Sequence, residues 1–136
     1  MKERKCVDMP EDLWPPHNSE EKEVLVYRLT RNEKSITEKD FLSLYEIHKM
    51  DSKVKVELLN NDQYYALSVY DDIDDAKSTC RKFPKKFKDI CFGKTIADDG
   101  CVRLDPTAAG NSHRSWWLYK NAEPIKYFKL LEKENE

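Results

Sequence analysis

The sequence predicts a single α+β domain built on a mostly antiparallel twisted sheet of about five to six strands with two helices. Three observations carry this. Segments such as VLVYRLT and QYYALSVY alternate along the chain with period two. Two other stretches repeat apolar residues at helical spacing, each behind a capping residue. After the second of these, strand-like segments follow one another across short turns, which favours antiparallel pairing.

At 136 residues the chain is long enough for one domain with a modest core. Fifteen aromatics and 24 basic against 26 acidic residues, net −2, exclude a weakly hydrophobic, highly charged disordered chain. Gly93, Gly100 and Gly110 are the only glycines, too few for a glycine-rich phosphate loop. No apolar run approaches the roughly 18 to 20 residues that span a bilayer, and the charged start is not a secretory leader. A cytoplasmic placement is therefore expected, with Cys6, Cys80, Cys91 and Cys101 reduced. No C-x-x-C pair and no paired histidines occur, so neither a metal site nor a cofactor is expected.

Residues 1–23 read as an irregular arm, stiffened by Trp14-Pro15-Pro16, residues 24–131 as the domain, and 132–136 as a solvated tail. Residues 24–30 are apolar on both faces, as in an interior strand. Thr37, with Asp40 three residues on, caps a helix to about Lys49 with Phe41, Leu44, Tyr45 and His48 on its inner stripe. Val54, Val56 and Leu58 suit a short strand or a helical continuation. A turn at 60–62 leads into a second strand, 63–70. Asp71, Asp72, Asp74 and Asp75 open a second helix, whose stripe is Ile73, Ala76, Cys80 and Phe83 and which Pro84 ends. Residues 89–96 and 101–104 are expected to form a hairpin across Ala97-Asp98-Asp99-Gly100. Strands at 115–119 and 125–130 complete the sheet.

Arg28 is the first residue with chemical weight. A guanidinium among valines requires acceptors, supplied by an internal carboxylate, by strand carbonyls, or by a ligand phosphate or carboxylate. Ser68 is small amid aromatics and leaves space, and its neighbours Leu67 and Val69 are not those of a nucleophile elbow. In Ser112-His113-Arg114-Ser115-Trp116-Trp117, His113 suits a general acid or base, while Arg114 and Trp116 suit ligand binding. Arg81, Lys82, Lys85, Lys86 and Lys88 form a basic run with Phe83 and Phe87 between them. Such interleaving also suits nucleic acid, although the slightly acidic whole does not favour it. The four aspartates at 71–75 form an opposing acidic patch.

The strand with Tyr27-Arg28, followed by Tyr65-Ala66-Leu67-Ser68 and a helix with Ala76, resembles the opening of small ADP-ribosyltransferase-like domains over about fifty residues. The resemblance implies that Arg28 and Ser68 help hold NAD while a glutamate acts on the ribose. No residue here matches that glutamate, since Glu123 stands beside Pro124 in an expected turn. Two functions follow. The first is a small intracellular binding or regulatory domain, immunity- or antitoxin-like, that meets a protein partner through the two charged patches. The second is an NAD-using transferase or glycohydrolase in which His113 and Ser68 are catalytic.

Overall fold

The computed structural model describes residues 2–108 and 110–131. Its elements are β1 (Leu25–Thr30), α1 (Leu44–Met50), β2 (Leu67–Tyr70), α2 (Ile73–Lys82), β3 (Asp89–Lys94), β4 (Gly100–Leu104), β5 (His113–Leu118) and β6 (Lys129–Leu130). The strands form one open antiparallel sheet in the order β4-β5-β2-β1-β3-β6, so the chain is a single α+β domain with two α-helices. The interior position of β1 agrees with its two apolar faces. The expected tail, 132–136, lies outside the described residues.

One face of the sheet buries Val26, Leu67, Val69, Cys91, Val102, Trp116 and Leu118 beneath Phe41, Ala122 and Phe128. On the other face α2 places Ala76 against Leu29, Tyr70 and Ile90, while Tyr45, Tyr64 and Tyr65 gather round Met9, Cys101 and Trp117. Met9 shows how the arm is held. It is buried, and the arm's backbone bonds to the sheet at Lys5 N–H to Leu118 O (2.9 Å) and in both directions between Glu20 and Val102 (2.9 and 2.8 Å). The arm thereby covers part of the outer edge of β4.

Five expectations are corrected. The single helix from Thr37 is two pieces, because two capping boxes stand in tandem. Asp40 accepts from Thr37 N–H at 2.8 Å over a 3-10 turn at Glu38–Phe41; then Leu42 turns extended, and Ser43 and Glu46 cap α1 reciprocally at 2.9 and 3.1 Å. Leu44 consequently sits at the outside of α1, 39% exposed. A 3-10 turn at Val56–Leu58 stands where either a short strand or a helical continuation was expected, and a second at Asp62–Tyr65 replaces the first half of the second strand. Phe83 follows α2 as its C-cap and is 51% exposed, not part of a buried stripe. The expected strand at 125–130 begins instead in a 3-10 turn (Pro124–Lys126), and only Lys129–Leu130 joins the sheet.

The fifth correction is the largest: β3 and β4 do not form a hairpin. β3 pairs with β1 over six residues and with β6 on its other side, while β4 pairs with β5 over five. A turn does close at 96–99, with Asp99 N–H on Ile96 O at 2.9 Å. Gly100, however, lies within β4 opposite Leu118, and a side chain there would run into the Trp117 carbonyl and the Trp116 indole. Its glycine answers to packing and not to a positive φ; Gly110, with φ 151°, is the glycine with positive φ among the described residues. Four strand spacings of about 4.8 Å separate β3 from β4, and the connection at residues 95–99 includes a turn. Six Cα steps reach about 20 Å only when fully extended, so the sheet bends to bring its flanks together.

Candidate functional site

β1 meets its two neighbours unequally. All six of its residues are in register with β3, whereas with β2 only Tyr27 and Tyr70 are paired. Past that pair the strands part, and the fork is filled from the 37–42 segment and by the side chain of Arg28. Asp40 anchors the segment, its buried carboxylate accepting from Arg31 N–H (3.0 Å) and Thr37 N–H (2.8 Å). Arg28 then ties β1 to two other stretches of backbone through three carbonyls: Nε–H donates to Asp40 O (2.8 Å) and Nη2 to Leu42 O (3.0 Å), both in the 37–42 segment, and Nη1 to Ser68 O (2.8 Å) in β2. The acceptors required by an arginine in an interior strand are therefore main-chain carbonyls.

Carbonyls satisfy the donors without cancelling the charge. A guanidinium has five N–H bonds, and three of those of Arg28 are used here. Desolvation pulls its pKa down to about 10, which still leaves it cationic at neutral pH. Beside it opens a cleft of about 200 Å³ lined by Arg28, Arg31, Asp40, Ser68, Lys86 and Phe87 among others. The Phe87 ring has the Arg31 guanidinium 5.7 Å from its centroid and the Lys86 ammonium at 5.2 Å, a cation–π contact with each. Lys86 has a lowered pKa, first from desolvation and then from repulsion by Arg31 and Arg28. No carboxylate pairs with Arg28, Arg31 or Lys86 among the described residues. With Asp40 as the one acid in the lining, the cleft carries a net charge of +2.

Arg103 shows the contrasting case. Asp62 grips it with two bonds of 2.8 Å, Asp105 takes its Nε–H at 2.8 Å, and its Cζ lies 4.8 Å from the Trp117 ring centroid. Burial would raise the pKa of Asp105, but hydrogen bonds from Arg103, Ser115 and Gln63 bring it below the usual range. That network sets two carboxylates against its one cation, whereas the cations of the fork have no carboxylate paired with them.

Of the residues singled out in the sequence, Arg28 and Ser68 line one cleft, and Ser68 is the exposed residue of β2. His113 does not line it. Its buried ring stands edge-on to Tyr70 at 5.5 Å with Nδ1 2.8 Å from Asp105 O, and desolvation lowers its pKa. Trp116 is 0% exposed and stacked on Phe128, with its indole N–H unpartnered in the core, and Arg114 is paired with Asp71 at 2.7 Å. Asp72 caps α2 and Asp75 accepts from Ser112 Oγ at 2.7 Å, so of the four aspartates only Asp74 is exposed without such a role. Arg81, Lys82, Lys85, Lys86 and Lys88 are all exposed, and the Lys88 ammonium donates to the Pro84 carbonyl (2.7 Å).

Sequence reasoning missed Arg31, and it did not connect Asp40, read as a capping residue, or Phe87, read as part of the basic run, with Arg28. The spacing of Arg31 from Arg28 was visible, but its convergence with Lys86 depends on how the α2–β3 connection returns to β1. The described residues contain no group of three metal-ligating side chains, and no helix is long and apolar enough to cross a membrane. The chain matches no protein-family model, no curated protein and no solved structure.

Proposed function

We propose that this is a binding domain of regulatory type, immunity- or antitoxin-like, that docks an acidic protein partner on the basic face formed by the fork and the 81–88 run. The carrying observation is the convergence of Arg28, Arg31 and Lys86 on one cleft without carboxylate partners. Lys86 belongs to the exposed run, which makes cleft and run one surface. The aspartates at 71–75 are occupied mainly with capping and internal pairing, so attraction comes from the basic side.

The whole molecule is net −2, so its overall field repels an acidic partner and only this face draws one in. Immobilised poly-L-glutamate tests the reading by biolayer interferometry. Binding is expected to weaken steeply between about 50 and 300 mM salt, and to vanish when Lys85 and Lys86 are both changed to Glu. Unchanged association by that variant sinks the proposal, and tighter binding to single-stranded DNA than to polyglutamate transfers the face to nucleic acid.

A second reading is favoured by one observation, the shared cleft of Arg28 and Ser68. It is the NAD-using transferase or glycohydrolase, with Arg28 at the pyrophosphate and Ser68 beside the ribose. A thermal-shift titration with NAD decides it: no shift at millimolar ligand removes this reading.

A further inference from the structure

We propose that the fork cleft is a subsite for a phosphate monoester, presented as a phosphorylated side chain of the acidic partner. This inference rests on the docking reading above and names what occupies its centre. Size is the first argument. About 200 Å³ is below the roughly 300 to 1,000 Å³ of pockets that enclose whole small-molecule ligands, and suits one headgroup entering from a chain that runs over the surface.

Charge is the second. A phosphomonoester carries about −1.5 to −2 at neutral pH on three acceptor oxygens, against a lining of +2. A carboxylate would match only half of that and offers two oxygens. Donors are the third argument: Arg28 retains two N–H bonds beyond the three used on carbonyls, while Arg31 and Lys86 bring a guanidinium and an ammonium free of carboxylates. Ser68 lines the same space. Preorganisation is the fourth. Three backbone carbonyls on two segments hold the Arg28 fork before any ligand arrives, and the face of Phe87 restrains the other two cations, which reduces the ordering cost of binding.

Isothermal titration of the full chain with three peptides tests this, each with the same acidic flanks and with phosphoserine, glutamate or serine at the centre. Inorganic phosphate and a nucleoside monophosphate form two further arms. The phosphoserine peptide should bind about tenfold more tightly than the glutamate peptide, because charge-assisted bonds to a dianion are the stronger ones. Arg31→Ala and Lys86→Ala should each remove most of that advantage; neither residue forms an ion pair, so both variants retain the fold, which circular dichroism checks. Equal affinity for phosphoserine and glutamate, with binding still lost on reversing Lys85 and Lys86, overturns the subsite and leaves the docking face standing. Binding of none of the peptides overturns both. Tighter binding of inorganic phosphate or the nucleotide than of the phosphopeptide keeps the phosphate chemistry and overturns its assignment to a protein partner.

Discussion

Arg28 does two things at once: it closes a gap in a sheet and it leaves a positive charge there. Arg28→Ala strands three carbonyls and should lower stability by about 3 kcal/mol, the range for bonds to a charged donor. Arg28→Lys should recover only part, because an ammonium on a flexible stem cannot match three acceptor directions with a planar fork. Urea unfolding measures both, and a loss below about 1 kcal/mol for the alanine variant would remove the staple from the argument. The residue's need for acceptors was legible in the sequence, since a guanidinium among valines has few options. Their identity was not, because Asp40, Leu42 and Ser68 contribute backbone, which carries no side-chain signature. His113 supplies a pH dependence. Burial lowers its folded pKa, so its neutral form contributes stability above the unfolded value of about 6.5, and that contribution is lost as pH falls below it. The melting temperature should drop from pH 7.5 to 5.5, less so in His113→Gln; parallel profiles would assign the drop elsewhere.

Among the elements, type was more legible than partnership. The periodicity located β1, α2 and β5 because each has an apolar pattern of its own length. The order of pairing was hidden, and the Asp-Gly dipeptide pointed to the wrong neighbour. Gly100 is required by the Trp117 carbonyl on the adjacent strand, a contact no local window contains. Gly100→Ala should therefore cost more than Gly93→Ala, whose new methyl would meet the Phe128 ring at 2.7 Å, a side chain that can shift. Overpacking of about 1–3 kcal/mol is expected at position 100, and the reverse order in thermal melts would refute this account. Ser43 caps α1 through Glu46 N–H, and Ser43→Ala should cost about 1 kcal/mol.

For the molecule as a whole, charge placement matters more than charge total. A balanced composition conceals one face where three cations repel each other with Asp40 as the one acid beside them. Arg31→Ala should thus leave stability unchanged or raise it by about 0.5 kcal/mol while weakening anion binding, the usual trade between a site and its scaffold. Chemical denaturation beside the peptide titration measures the two effects, and a clear destabilisation would contradict it. The sheet itself consists of two three-stranded halves, β4-β5-β2 and β1-β3-β6, joined along a seam with one residue pair in register. Cooperative opening follows the line of fewest bonds, so the halves should behave as separate units in native-state hydrogen exchange. Amides between β1 and β3 and between β2 and β5 should exchange slowly, while those of residues 28–30 and 66–68 that face the seam exchange sooner. An anion bound at the fork would lie across that line and slow the seam amides first, so that occupancy of the cleft is read out as the joining of two half-sheets into one.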